Sequence, residues 1–283
     1  MIRMMRLFGL FLAACLFVAA PAGAQPLDWV VEPADPQPGD IVRITLRLPS
    51  GQKSGEVGIA GRSFPGIETG GLLTAYVGLD LDLDPGEYPV KFELGDKTGS
   101  WPVVVRDKQW ATESLKVNPK YTDLDKETLD RVWAEKQELK KIFARTANER
   151  YWTKSFVMPT DGALGSPFGL RRFFNEQPRN PHSGLDIKAP TGTKVFASNE
   201  GKVALAKDLF FTGNTVVLDH GLGLYTIYAH LSHLDCEAGE TVERSQLIGL
   251  VGATGRVTGP HLHWAAKLGG ARVDPKTLPG FSL

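Results

Sequence analysis

From Gln25 to about Val105 apolar and polar side chains alternate in short runs, which restricts this stretch to strands with one face in a core. Val42, Ile44, Leu46 and Leu48 share one face while Arg43, Thr45 and Arg47 share the other. Tyr88, Val90, Phe92 and Leu94 repeat the pattern after a Pro85-Gly86 turn, and Trp101, Val103 and Val105 supply a closing strand. The expected module is a small β-sandwich of immunoglobulin type over residues 25–106. Inside it, Asp80-Leu81-Asp82-Leu83-Asp84 superficially suggests a calcium loop, yet Pro85 stands where such a loop needs glycine and Lys91 where it needs glutamate. A strand with its leucines inward and its aspartates outward is the expectation there.

The chain has 283 residues, and its 32 Lys plus Arg balance 32 Asp plus Glu, which is not the charge of a nucleic-acid binder. Residues 1–24 read as an export signal: Arg3 and Arg6 precede an apolar run from Leu7 to Ala20, and Ala22-Gly23-Ala24 is a small-residue cleavage site. The apolar run covers 14 residues, short of the roughly 20 that span a bilayer as a helix, so no stable membrane insertion is expected after cleavage. The periplasm is the expected location. Secretion, or a lipid anchor at the Leu12-Ala13-Ala14-Cys15 tetrapeptide, are the alternatives. Cys236 would be the one cysteine left after cleavage and is expected to be an inert core residue.

The chain changes character from about Thr122 to Tyr151, with charges on most positions, and residues 107–154 are expected to form a helical connector. Leu129, Val132, Trp133, Leu139, Ile142 and Phe143 fall on one stripe of a helix, with Thr122 and Asp125 as a capping start. The stripe is expected to dock on a flanking domain; a partner-binding coiled coil is the alternative.

All six histidines lie beyond position 180, and this asymmetry locates the chemistry. His182-Ser183-Gly184-Leu185-Asp186 is bracketed by Pro181 and Pro190, so His182 is expected on a loop and Asp186 on the strand that follows. His261-Leu262-His263 reads as a strand opening with both imidazoles on one face and Leu262 in the core. Two imidazoles and a carboxylate form a three-ligand set that leaves a fourth tetrahedral position for water, as catalytic zinc requires. A third element, Tyr228-Ala229-His230-Leu231-Ser232, ends a strand starting at Leu224.

These motifs, with Ser166-Pro167-Phe168-Gly169, Gly192-Thr193-Lys194-Val195 and Gly255 to Trp264, resemble the lysostaphin-type, or M23, zinc metallopeptidases that cut peptide bonds in peptidoglycan. The likeness runs from about Phe156 to Pro279. It implies a mainly β chain whose residues 155–283 form an antiparallel lysostaphin-type (duplicated hybrid motif) peptidase domain, with the site in a groove on the sheet. Carried over position by position, it implies one Zn2+ held by His182, Asp186 and His263, with His230 and His261 as unliganded catalytic histidines. Ser245 departs from the family, which often has glycine in that turn.

The implied activity is a zinc-dependent endopeptidase acting on peptidoglycan stem peptides, first at the D-alanyl to diaminopimelate cross-link and second at a glycine bridge. The alternatives are a non-catalytic peptidoglycan-binding module or activator of another hydrolase, and a processing protease. A regulatory envelope protein is admitted as a partner, and the front domain can serve as targeting module, spacer or lid. His220 is expected to be a turn residue with no ligand role and His233 a solvated loop histidine. Arg171 and Arg172 are read either as holders of a substrate carboxylate or as surface ion pairs.

Overall fold

The computed structural model describes residues 29–48, 54–94, 97–115 and 124–280. The expected export signal, Cys15 and Thr122 lie outside them. Seven strands open the chain: β1 (Trp29–Glu32), β2 (Ile41–Arg47), β3 (Glu56–Ile59), β4 (Arg62–Thr69), β5 (Leu72–Gly78), β6 (Gly86–Leu94) and β7 (Lys97–Val105). They pair in the order β1-β2-β5-β4-β3-β6-β7. Strand β4 bonds to β3 through residues Arg62 to Pro65 and to β5 through Gly66 to Thr69, so it turns the corner between two layers. Ile44, Leu46, Leu73, Val57 and Val90 fill the space between the layers, and Trp29 of β1 stacks on Trp101 of β7 with ring centroids 4.8 Å apart. The immunoglobulin-type expectation rests on the alternation alone.

Residues 80–84 correct one expectation, because they form a turn rather than a strand. The Asp80 carboxylate accepts from the backbone N–H of Asp82, and Leu83 N–H donates to the Asp80 carbonyl. A short polar side chain that bonds its own backbone two residues on competes with a strand ladder, and here it wins.

Strand β8 (Thr112–Leu115) follows, then helix α1 (Lys126–Phe143). Asp125 caps the helix by accepting from Thr128 N–H. The apolar stripe docks only through its last turns. Ile142 is buried, and Leu139 and Phe143 pack beside it against Leu205, Leu209, Val217 and Tyr225. Leu129 and Trp133 stay exposed. No described helix is long and apolar enough to cross a membrane.

The remaining strands are β9 (Ala163–Leu164), β10 (Arg171–Phe174), β11 (Gln177–Pro178), β12 (Gly184–Lys188), β13 (Lys194–Phe196), β14 (Gly201–Leu209), β15 (Gly213–Asp219), β16 (Leu224–Leu234), β17 (Thr241–Val242), β18 (Leu247–Val251), β19 (Leu262–Leu268) and β20 (Ala271–Val273). Ten of them form one sheet along the path β17-β14-β15-β16-β19-β12-β9, with β13, β18 and β20 attached at its side. The core beneath it holds Leu185, Ile187, Val216, Tyr228, Leu262 and Trp264. Strands β10 and β11 instead join β8 in a separate three-stranded sheet, with β8 and β10 parallel.

The front domain rests on the β19–β20 hairpin. Tyr76 meets Trp152 at 5.9 Å, Arg62 donates to the Gly269 carbonyl, and Asp274 N–H donates to the Gly39 carbonyl. Arg272 donates to the carboxylates of both Asp80 and Asp82, and Arg171 also donates to Asp82.

Candidate metal centre

Asp186 on β12 and His263 on β19 are directly paired across antiparallel strands, so their side chains leave the sheet side by side on one face. The His263 ring can lie there because position 184 is glycine: a Cβ on Gly184 would stand 2.7 Å from its Cε1. His182 reaches in from the loop before β12. The geometry brings three donor atoms together: His182 Nε2 and His263 Nδ1 each stand 3.0 Å from Asp186 Oδ1 and 3.0 Å from one another.

The tautomers follow from the partners. His182 Nδ1 faces the Pro167 carbonyl at 2.9 Å, and a carbonyl only accepts, so Nδ1 carries the proton and Nε2 presents a lone pair. That lone pair, those of Asp186 and the facing nitrogen of His263 aim at one point. Such an arrangement is repulsive without a cation between the donors. Ligand atoms on a tetrahedral zinc at about 2.1 Å would stand roughly 3.4 Å apart, close to the observed triangle. Burial raises the Asp186 pKa, but in the metal-free site protonated His182 and His263 rings, which can then donate to the carboxylate, more than offset it and hold the carboxyl well below its ordinary range. Burial pushes His263 down, toward the neutral form that a metal ligand needs. The residues therefore fit a divalent zinc-like ion.

His230 and His261 flank this triangle. The pairing of β15 with β16 shifts register across Ala229 and His230, a bulge, and His230 adopts φ 65. Its N–H donates to the Thr212 carbonyl, and its ring Nδ1 donates to the Thr254 carbonyl at 2.9 Å. The bulge re-aims the ring toward its neighbours, 4.9 Å from His261 and 6.0 Å from His263 between centroids. Burial lowers the His230 pKa to about 4, so the ring is neutral near pH 7 with a free Nε2. His261 lies one residue ahead of β19, where it bridges Gly252. Its Nδ1 donates to the Gly259 carbonyl, which leaves Nε2 facing Asp186 at 3.7 Å. All five residues singled out from the sequence thus line one site.

The other candidates fall away from it. His220 is a turn residue as expected, but it is fully buried: Nδ1 donates to the Glu200 carbonyl at 2.7 Å and Nε2 pairs with the Thr226 hydroxyl at 2.7 Å. Burial lowers its pKa to about 4. His233 is solvated beside Asp235, but it lies on β16, paired with Leu250, rather than in the expected loop. Arg171 and Arg172 make ion pairs, with Asp82 and Glu113 respectively. Cys236 is buried, and burial raises its thiol pKa to about 11, the profile of an inert residue. The three carbonyls that fix the rings, from Pro167, Thr254 and Gly259, belong to backbone and leave no mark in side-chain chemistry. The short loops that carry them are the one signal available beforehand.

Residues 180–275 match the family model described as peptidase family M23. Among curated proteins, the chain is 45% identical over 112 residues to a peptidoglycan DD-endopeptidase, ShyA, of Vibrio cholerae, covering 39% of this chain and 26% of that one. It is 41% identical over 115 residues to the DD-carboxypeptidase/endopeptidase Mpg of Neisseria meningitidis, covering 41% and 26%. The chain thus spans about a quarter of the length of these relatives. A crystal structure of a Pseudomonas aeruginosa protein assigned to peptidase M23 is similar over 87% of this chain and 96% of that one, with 32% identity and a TM-score of 0.70.

Proposed function

The chain belongs to peptidase family M23, and from that premise we propose that it is a zinc-dependent endopeptidase that cuts the peptide cross-links of cell-wall peptidoglycan. The observation that carries this reading is the triangle of His182, Asp186 and His263, whose lone pairs converge beside two further imidazoles. His182, Asp186 and His263 would hold the zinc. When bound, zinc supplies a water acidified toward neutral pH and a Lewis acid for the scissile carbonyl.

The protein's own residues manage the proton and the developing charge. Each of His230 and His261 has its Nδ1 proton tied to a backbone carbonyl, so each offers Nε2 to the groove. One accepts the proton of the attacking water and returns it to the leaving amine. The other, entering the cycle with a proton taken from solvent on its Nε2, donates to the oxyanion of the tetrahedral intermediate and keeps that proton throughout. Fixed tautomers mean that neither ring must reorient during the reaction.

The bond proposed is the D-alanyl to diaminopimelate link between stem peptides, a reading that the similarity to a peptidoglycan DD-endopeptidase supports. With export through residues 1–24, the working compartment in this reading is the periplasm. Purified cross-linked peptidoglycan incubated with the full chain should lose dimeric muropeptides. A chelator should stop the loss, and added zinc should restore it. Unchanged cross-linking with zinc present would overturn the reading.

A further inference from the structure

The ligand loop is buttressed from outside the peptidase domain. Residues 165–170 act as a template for both first ligands. Gly165 N–H donates to the Asp186 carbonyl and Asp186 N–H to the Ser166 carbonyl, while Gly169 N–H donates to the His182 carbonyl and His182 N–H to the Leu170 carbonyl. The Pro167 carbonyl adds the bond that sets the His182 tautomer. Wherever this loop moves, His182 and Asp186 move with it.

The outer side of the loop is covered by the connector that follows the front domain. The Trp110 ring packs directly against Gly169, where φ is +81 and where any Cβ would clash with its Cε3 and Cζ3. It meets Phe168 edge-on at 5.8 Å, and Phe168 is buried. Gly39 of the front domain closes the stack from below: a Cβ there would stand 2.6 Å from Phe168 and 3.4 Å from Trp110. Lys108 and Arg171 sit over the indole at 4.7 and 5.7 Å. Arg171 N–H also donates to the Ala111 carbonyl, where β8 begins its pairing with β10. The indole is therefore held on several sides and in turn holds the loop.

We propose that Trp110 is a positioning residue for the metal centre, acting through Gly169 and the Pro167 carbonyl to hold His182 in its ligating orientation. This rests on the reading of His182, Asp186 and His263 as zinc ligands. It makes the connector part of the working site. Partners of metal-bound histidines typically contribute about 10–100-fold to metal affinity. Trp110 acts one contact further out, so a loss of about tenfold is the expected size for Trp110→Ala.

The test is zinc affinity in the full chain, measured by competition with a chromogenic chelator, together with the melting temperature of zinc-loaded and stripped protein. Trp110→Ala should bind zinc about tenfold more weakly and show a smaller zinc-induced rise in melting temperature. Trp110→Phe, which keeps a ring over Gly169, should stay close to the unsubstituted chain. Should Trp110→Ala not fold, Trp110→Leu is measured with the same expectation as the alanine variant. Unchanged zinc affinity overturns the proposal, and so does an equal fall in melting temperature with and without zinc, because a purely structural ring would act that way. An unsubstituted chain that binds no zinc overturns the ligand assignment as well, which separates the two failures.

Discussion

Replacing Asp80 with Asn removes one carboxylate from the clamp between the front domain and the β19–β20 hairpin. Asp80 accepts from the Arg272 backbone N–H at 2.9 Å and from its guanidinium at 2.5 and 3.2 Å. Burial alone would raise its pKa, but these bonds and the one from Asp82 outweigh it and lower the value from 3.8 to about 2. At 1.36 kcal/mol per pH unit that difference has an upper bound of about 2 kcal/mol, and because the carboxylate is partly open to solvent, screening reduces it to about 1 kcal/mol of stability. Because the folded pKa lies below the unfolded one, the contribution is complete above about pH 4 and is lost as pH falls through about 2. Asp80→Asn should therefore cost about 1 kcal/mol at pH 7, a fall of about 2–4 °C in melting temperature for a chain of this size. Urea unfolding of both proteins from pH 7 down to about pH 2 tests this, with the difference expected to shrink toward the acid end. A deficit of the same size at every pH would show that shape rather than charge is at work, and no deficit at pH 7 would refute the clamp.

Three further outcomes follow from other parts of the molecule. His220 titrates at about 4 in the folded chain against 6.5 when unfolded, so stability should fall by about 3 kcal/mol as pH drops from 6.5 to 4. His220→Asn should flatten that part of the stability profile; a profile unchanged by the substitution would contradict the assignment. Ser245 holds φ 66, a conformation costly for any residue with a Cβ, so Ser245→Gly should raise stability by about 0.5–1 kcal/mol in urea unfolding. Thr254→Pro is expected to disturb the loop whose carbonyl holds the His230 Nδ1 proton, lowering turnover far more than zinc content, which parallel metal analysis and peptide hydrolysis would register.

Much of this was legible because period-2 patterns and metal-ligand chemistry both live in side chains. The alternation at Val42 to Leu48 and at Tyr88 to Leu94 became β2 and β6, and His261-Leu262-His263 became a strand opening with Leu262 in the core. The same logic misread Asp80 to Asp84, where alternation arose from a turn that buries Leu81 and offers its aspartates to Arg272. The helix stripe was visible but not its extent of docking. Only the end near Ile142 meets the sheet, since that depends on where β14 and β15 lie in space. His220 looked like an ordinary turn residue because nothing local announces that Glu200 and Thr226 close over it. The carbonyls that orient the site histidines, and the indole of Trp110 on the ligand loop, come from segments distant in sequence and carry no pattern of their own.

The central claim is the division of labour between two histidines one residue apart. His263 Nδ1 stands 3.0 Å from both Asp186 Oδ1 and His182 Nε2, whereas His261 Nε2 stands 3.7 Å from Asp186 with its other nitrogen bound to the Gly259 carbonyl. Metal analysis of purified His263→Ala and His261→Ala, beside hydrolysis of a cross-linked muropeptide, tests it most directly. His263→Ala should lose both zinc and activity. His261→Ala should keep close to one zinc per chain and lose about 10²–10⁴ in turnover, the usual size of a lost proton-transfer or oxyanion contact. If His261→Ala loses its zinc while His263→Ala keeps both metal and activity, the assignment of ligand and catalytic histidine is wrong.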